Sequence, residues 1–417
     1  MQGIKLSDII DFNPRVKLEK SDIYSFIPME NLTPEVKFVS DVEKKEWEGQ
    51  SSSKFENGDI LFARIYPCLD NRKIAVAKTE GKGFGSTEFF VIRAKEGIAD
   101  QNFVYYLSTS DLIVQTAINS YVGASGRQRA DLKFIKNSQF DLPTYDNQKK
   151  IAAILSTYDD LIDVNKKRIE ILENMAEELY KEWFVRFRFP NWENTEFKKG
   201  LPKEWKEKPI SKCFEVIGGG TPSKDNPEYW RDGDINWFTP SDLTKASTTF
   251  VEESSLKCNS IGLAHSSTKL FPAYSVMMTS RATIGVLSIN TTEACTNQGF
   301  ITCLPNKEVP LTYLYYQLKF SKPHFEALAS GATFPELSRG VFKKIKIRVA
   351  EQNIIDGFDK IVTPLFEQIL NYQKVITLLQ KQKNELLPRL MSGKLSVVDL
   401  GVHYPPSMHT SDEAEEK

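Results

Sequence analysis

Several features are scarce in this 417-residue chain, and each scarcity closes off a class of function. The four histidines (His265, His324, His403, His409) are scattered, two of them near the C-terminal end, with no metal-ligand or catalytic-triad spacing. The five cysteines (Cys68, Cys213, Cys258, Cys295, Cys303) are odd in number and lack a C-x-x-C pair, so neither a disulfide framework nor a zinc site is indicated. No G-x-x-x-x-G-K-[ST] loop occurs, which excludes a built-in ATP-driven motor of that type. No apolar window of about 18 residues occurs, and the N-terminal MQGIKLSDIIDF lacks a basic region followed by an apolar run. The chain is therefore expected to be neither exported nor membrane-spanning, and a reducing cytoplasm fits. Net charge is also small, −1, so any nucleic-acid contact must come from local patches.

What is present is an ordinary globular composition, 41% hydrophobic and 26% charged, enough for two or three domains with sizeable cores. Two stretches organise it. From Gln148 to Phe184, Ile151, Tyr158, Leu172 and Leu179 lie on a seven-residue repeat, with Leu155, Ile162, Ile169, Ala176 and Trp183 four residues after each register. From Gln352 to Met391 the pattern is cleaner: Ile355, Phe358, Val362, Leu365, Ile369, Tyr372, Ile376, Leu379, Leu386 and Leu390 alternate steps of three and four, broken only by Lys383. Both are coiled-coil seams, each helix roughly 55 to 60 Å long at 1.5 Å per residue. Two such rods in one chain are expected to pair, antiparallel. Asn165 and Lys383 each put a polar group in the seam. Either each fixes register from within, or each lies at the edge and points to water.

The rods alternate with irregular, strand-rich regions, in the order globule, rod, globule, rod. Apolar runs at Ile60–Ile65, Ile74–Ala77 and Phe89–Ile92 predict strands in the first globule, and Phe103 to Ala117 predicts a helix. Pro190 and Pro202 end the first rod and make a linker. The globules align as copies. Ser86 to Leu107 falls without gaps on Thr296 to Gln317, 210 residues on, setting Phe90 on Phe300 and Tyr105-Tyr106 on Tyr315-Tyr316. GASGRQRADLKF falls on GATFPELSRGVF 208 residues on, and Gln148 on Gln352, 204 on. A shifting offset with maintained order marks an internal duplication. With antiparallel rods the copies become a pseudo-dimer, and heads about 34 to 36 Å apart suit duplex DNA.

Each copy is basic where it leads into its rod. Arg127, Arg129, Lys133 and Lys136 stand against Asp131, and Arg339, Lys343, Lys344, Lys346 and Arg348 against Glu336. In KKIKIR alternation places Lys344, Lys346 and Arg348 on one strand face and Ile345 and Ile347 on the other. Charge recurring in both copies of a near-neutral chain points to phosphate contact, against the plainer reading of a solvated strand face. The second globule opens with GGGTPSKDNPEYW, a glycine-rich turn carrying Thr221, Ser223, Lys224, Tyr229 and Trp230, either a DNA-approaching loop or a structural turn. Arg64, Arg72, Lys73 and Arg281 follow predicted strands and are candidates of the same kind. NPEY resembles the N-P-P-Y element of adenine methyltransferases but lacks its second proline, and no glycine-rich cofactor loop precedes it. Catalysis is expected to belong to a partner.

With LPKEW, GGGTPSKDNPEYW, INWFTPSDL, GATFPELSR and the Gln-led helices EQNIIDGF and NQKKIAAIL, the chain resembles, over nearly its whole length, the specificity subunits of type I restriction-modification systems. The resemblance implies an α+β fold of two pseudo-symmetric α/β target-recognition domains separated by two long antiparallel coiled-coil helices. The expected boundaries are 1–145 and 207–350 for the recognition domains, 146–188 and 351–396 for the rods, 189–206 for the linker and 397–417 for an unstructured tail. Each recognition domain would read one half of a split, asymmetric double-stranded DNA site. Two modification subunits, binding S-adenosylmethionine and methylating adenine, would clamp onto the helices, and restriction motor and nuclease subunits would join. S-adenosylmethionine, ATP and magnesium are expected only on those partners, and no cofactor or metal on this chain. The DNA-binding candidates are Arg64, Arg72, Lys73, Arg127, Arg129, Lys133, Thr221, Ser223, Lys224, Tyr229, Arg281, Arg339, Lys344 and Lys346. Ile151, Tyr158, Leu172, Leu179, Val362, Ile369, Ile376 and Leu379 are the candidates for the seam and for partner docking. The first globule departs from the pattern, lacking GGGTPS, and its N-terminal DNA contacts are expected to use Asn13, Arg15 and Lys17 instead. Pro364 also falls inside the second rod, where it is expected to kink the helix or restart it with Thr363 as cap. The competing class is a coiled-coil scaffold whose globules bind protein or carbohydrate.

Overall fold

Runs of alternating and β-branched residues pair into small sheets, and the two heptad stretches become the two longest helices. A computed structural model describes residues 3–39, 42–331 and 335–409. The chain divides into two compact units, Met1–Val164 with Ile376–Lys417, and Asn165–Val375.

In the first unit, Ile10–Phe12, Phe89–Ala94, Ile60–Ala63 and Ile74–Val76 form an antiparallel sheet in that order. A second sheet runs Glu43–Trp47, Asp22–Ile27, Gly83–Gly85, Ser53–Phe55, its central pair parallel. Where one helix was expected over Phe103 to Ala117 there are two, Gln101–Thr109 and Asp111–Asn119, separated at Ser110, whose hydroxyl donates back to the Leu107 carbonyl. A third, Leu132–Asn137, follows. In the second unit the sheet order is Glu215–Gly218, Phe300–Leu304, Val276–Thr279, Leu287–Asn290, Phe250–Val251. Beside it lies Lys257–Cys258, Ile235–Phe238, Ala294–Thr296, whose last two strands are parallel. Both units thus repeat one motif, a parallel pair feeding an antiparallel sheet.

Hydrogen-bond register corrects the gap-free alignment by one residue. Ala63 pairs with Phe89 and Thr279 with Phe300, which sets Phe89 on Phe300, 211 residues on, and the parallel pairs Ile27/Gly85 and Phe238/Thr296 differ by 211 as well. Only at the helices Gln101–Thr109 and Leu311–Leu328 does the offset return to 210. A one-residue slip exchanges the two faces of a strand, so the correction decides which side chains of the copies are comparable. At the other match, Asp131 and Ser338 cap the helices Leu132–Asn137 and Arg339–Lys344, an offset of 207; Ile135, not the exposed Phe134, is the buried counterpart of Phe342. Ala332, Thr333 and Phe334 of that match lie outside the described residues.

The long helices span Tyr145–Tyr180 and Gln352–Met391. In the first unit Ile151 and Leu155 share a core with Leu386 and Leu390, and Asp159 meets Lys383. In the second, the Arg168 guanidinium lies over the Tyr372 ring and Trp183 packs on Phe358. Within each unit the partner's number falls as the helix advances, so the pairing is antiparallel. Asn165 and Lys383 are both buried, which excludes the reading in which each lies at the edge and points to water. Pro364 neither breaks nor restarts the second helix. Thr363, rather than capping a new helix, donates its hydroxyl to the Asp359 carboxylate one turn earlier.

After Tyr180 the backbone widens into one π-helical turn, Lys181–Val185, and aromatic packing takes over. Tyr180, Trp183, Phe184, Tyr313, Tyr316 and Phe358 form a connected cluster with ring centroids 4.9 to 6.4 Å apart, to which Trp205 adds the end of the linker. The segment after 397, expected to be unstructured, is placed as far as residue 409. Val397 is buried in the first unit's core, Lys150 donates to the carbonyls of Val397 and Val398, and the Ser407 amide donates to Asp160. Apolar residues and backbone donors scattered too sparsely to show a period anchor it. Residues 410–417 of that expected tail lie outside the described residues.

Candidate nucleic-acid interface

In the second unit four segments converge at one end of the main sheet. The chain leaving Glu215–Gly218 crosses the turn before Phe300, with the Gly220 amide donating to the Thr296 carbonyl at 2.9 Å. The chain leaving Val276–Thr279 joins the same turn through the Ser280 amide and the Gly299 carbonyl, 2.8 Å. Residues 335–337 close the set, with the Leu337 amide donating to the Ser280 carbonyl at 2.9 Å. Thr221, Arg281 and Arg339 are brought together here. The Thr221 hydroxyl bonds the Gln298 side chain at 2.6 Å, Arg281 pairs with Glu336 at 3.0 Å, and the Arg339 guanidinium lies against Gly218.

The glycines answer a structural need before any other. A Cβ on Gly219 would stand 1.9 Å from the Asn297 carbonyl oxygen, and one on Gly220 2.4 Å from the Ser267 hydroxyl. Ser223 accepts at its carbonyl from the Trp230 indole, Lys224 lies 5.6 Å from the Trp237 ring centroid, and Tyr229 stacks on His265. Of the KKIKIR stretch, Lys344 ends the helix Arg339–Lys344 instead of joining the strand. Lys346 and Arg348 are exposed on Lys346–Val349, alternating with buried Ile345 and Ile347. That strand pairs with Lys206–Pro209, away from the converging turns.

The first unit builds the equivalent end with different residues. Arg64 and Arg129 share one carboxylate, Glu88: Arg64 Nε donates at 3.2 Å, Arg129 Nε at 2.9 Å and Nη2 at 2.6 Å. Hydrogen bonding from Arg129 first, then from Arg64, holds the Glu88 carboxyl below the usual range although partial burial opposes it. Arg127 and Lys133 are exposed nearby in sequence. Arg72 and Lys73 do not join them. Arg72 donates to the Thr109 carbonyl and pairs with Asp111, lining a cavity of about 310 Å³ with Glu35, Lys383 and Asn384, and Lys73 donates to the Met29 carbonyl. Asn13 has its side-chain oxygen engaged by the Val91 amide.

Sequence reading missed Glu88 and Gln298 and took Glu336 only as an opposing charge; Glu88 holds Arg64 and Arg129, Glu336 holds Arg281, and Gln298 holds the Thr221 hydroxyl. Their one visible signal was position, in the polar turn ahead of the same strand or in the loop ahead of the same short helix in both copies. On the rods, Ile151, Val362 and Ile369 are buried within their units, Leu172 and Leu179 pack against the second unit's core, and Tyr158, Ile376 and Leu379 are half-buried. The seam is thus largely consumed within the chain. Other apolar residues are exposed: Leu161 and Val164 in the first unit, Ile171, Met175, Ile361 and Val375 in the second.

A family model for the type I restriction modification DNA specificity domain matches this chain twice, over residues 2–174 and 202–386. The chain belongs to that family. Each specificity domain covers one strand-rich copy and most of one long helix, so the duplication read from the sequence is a duplication of the family's unit. Among relatives, the specificity subunit of the type I restriction enzyme MjaIX of Methanocaldococcus jannaschii is 29% identical, over 83% of this chain and 79% of its own. That of the HindI enzyme of Haemophilus influenzae is 25% identical, over 84% and 89%. The type I restriction-modification S subunit from M. genitalium, solved by crystallography, is 16% identical over 93% of this chain and 95% of that one, with a TM-score of 0.55, and has the same fold. Like these relatives the chain is a type I specificity subunit with two recognition domains. Among the described residues no helix is long and apolar enough to cross a membrane.

Proposed function

We propose that each recognition domain reads one half of a bipartite, asymmetric site in double-stranded DNA. The long helices fix the distance between the halves and dock two adenine methyltransferase subunits. The observation that carries this reading is the repeated sheet end. Both copies gather arginines at the same topological place, yet with different partners, Glu88 in one and Glu336 in the other. Equivalent placement suits two halves of one target, and unequal chemistry suits halves of different sequence. Basic side chains fix the backbone while a few donors read base edges in the major groove.

The chain itself carries binding and register, and the chemistry lies with partners that hold S-adenosylmethionine, ATP and magnesium, including the restriction motor and nuclease subunits. Docking falls to the exposed apolar positions rather than to the buried seam. Ile171 and Met175 are one helical turn apart, as are Leu161 and Val164, so each pair presents a strip to a partner's helix. Acting on chromosomal DNA places the assembly in the cytoplasm.

The test is methylation of DNA by the chain with and without a co-expressed modification subunit, read at single-base resolution. Adenine methylation at one split motif, only when both are present, is expected. Methylation by the chain alone would identify a self-contained enzyme, and no sequence-dependent DNA binding at all would favour a scaffold for protein or carbohydrate.

A further inference from the structure

Among the isolated β-bridges that recur in both units is one whose chemistry differs between them. In the first unit Ile65 faces Arg129, flanked by the bonds from the Ala130 amide to the Arg64 carbonyl, 2.8 Å, and from the Tyr66 amide to the Gln128 carbonyl, 2.9 Å. In the second, Arg281 faces Glu336, flanked by the bonds from the Leu337 amide to the Ser280 carbonyl, 2.9 Å, and from the Ala282 amide to the Pro335 carbonyl, 3.1 Å. The flanking bonds match one for one. Each bridge therefore carries one arginine, on its second segment in the first unit and on its first segment in the other.

Each of these arginines is held by a glutamate through Nε. Arg129 engages Glu88 side-on, Nε at 2.9 Å and Nη2 at 2.6 Å, and Arg281 Nε lies 3.0 Å from Glu336 Oε1. A guanidinium has two usable edges. Engaging the carboxylate at Nε turns the end-on pair, one N–H from each Nη, outward as a fork. In Arg129 the only other acceptor at that edge among the described residues is the Arg127 carbonyl, at a long 3.5 Å from Nη1, which a base edge can displace. That fork matches the O6 and N7 acceptors of guanine in the major groove. Both side chains are accessible, at 41% and 45% of full exposure. Bracing also removes rotamer freedom before DNA arrives, which a phosphate contact does not require but a base contact rewards. Arg127, Lys133, Arg339, Lys344 and Lys346 are different: they are exposed and enter none of the ion pairs found among the described residues.

We propose that Arg129 and Arg281, braced by Glu88 and Glu336, are the guanine-reading residues of the two recognition domains, and that the unbraced cations contact phosphate. This rests on the DNA-reading function above and assigns its base contacts. Because the two arginines come from opposite segments of the bridge, they reach different positions relative to their own domains, and the half-sites they read differ. Each half-site contains a G·C pair.

The experiment uses the full chain assembled with its modification subunits, acting on duplex libraries randomised in both halves, with methylated molecules sequenced. Arg281→Lys keeps the charge and loses the fork. It is expected to reduce discrimination for guanine at one position of one half-site by roughly tenfold or more, leaving the other half unchanged. Arg129→Lys does the converse. Glu88→Gln and Glu336→Gln, which loosen the brace and keep the arginine, weaken discrimination at those same positions. Arg339→Gln lowers methylation evenly across sequences and flattens its salt dependence. Lysine variants that keep the wild-type motif, or that lose methylation evenly at all sequences, would overturn the assignment. So would a wild-type motif with no G·C pair in one half, a result independent of any variant's folding. A wild-type assembly with no sequence preference would instead overturn the DNA-reading function itself.

Discussion

Lys383 of the second long helix places Nζ 2.6 Å from Asp159 Oδ1 of the first, with the two side chains only 11% and 10% exposed. The pair does not stand alone. The Tyr106 hydroxyl donates to Asp159 Oδ2 at 2.5 Å, and Lys37 Nζ reaches the Ser156 hydroxyl at 3.0 Å. One carboxylate thus anchors the helix pair and ties it to the recognition domain of the same unit. Removing one partner of a buried pair leaves an uncompensated charge, at a cost of about 3–5 kcal/mol, whereas apolar replacement of both is often neutral. Asp159→Ala is expected to show that loss in urea unfolding, and Asp159→Leu with Lys383→Met to recover most of it. Equal losses in the two variants would contradict the role of the pair.

Lys37 makes a second, pH-dependent prediction. Burial pushes its ammonium below the ordinary lysine range, with Asp159 opposing as the largest favourable charge. Between its folded value and the unfolded value, about 10.4, the unfolded chain binds the extra proton, so stability rises with pH in that window. The difference in unfolding free energy between wild type and Lys37→Met should therefore shift towards wild type as pH rises from neutral. A difference independent of pH would count against the buried lysine.

Two glycines should respond in opposite directions. A Cβ on Gly357, inside the second long helix, would meet the Trp183 ring at 3.5 and 3.6 Å, ordinary contact distances. Gly357→Ala is expected to stabilise by roughly 0.5–1 kcal/mol through helix propensity. Gly219→Ala is expected to destabilise by about 1–3 kcal/mol, because its Cβ would overlap the Asn297 carbonyl oxygen. Thermal unfolding of the two variants measures both.

Docking on the exposed strip is tested by Ile171→Lys with Met175→Lys. Both positions are exposed on one face of one helix, so stability should change by no more than about 0.5 kcal/mol per site. Co-purification of the modification subunit should nevertheless be lost. Retention of that subunit at wild-type stoichiometry would move docking elsewhere.

Much of the architecture was legible without coordinates, because its signals are local or repeated. Heptad spacing from Ile151 to Trp183 and from Ile355 to Leu390 announces two long paired helices, since only a period near 3.5 keeps apolar groups on one seam. The recurrence of FVYYL as TYLYYQL in order with the other matches announces a duplication. The site was less legible. Arg72 and Lys73 sit just before the strand Ile74–Val76 as Arg64 sits just after Ile60–Ala63, yet their side chains are tied to Thr109, Asp111 and Met29 and not to Glu88. Nothing in their immediate neighbours distinguishes them.

The sequence by itself determined two α+β domains of one family, their order, the paired helices and the excess of positive charge ahead of each helix, because patterning and composition act over a few residues at a time. Tertiary structure alone decided the one-residue register between the copies, the burial of Asn165 and Lys383, and which cations are braced. Glu88 lies 41 residues from Arg129, and Asp159 lies 224 from Lys383. Pairs so distant are chosen by the folding of whole strands and helices against one another, and no local period records that choice.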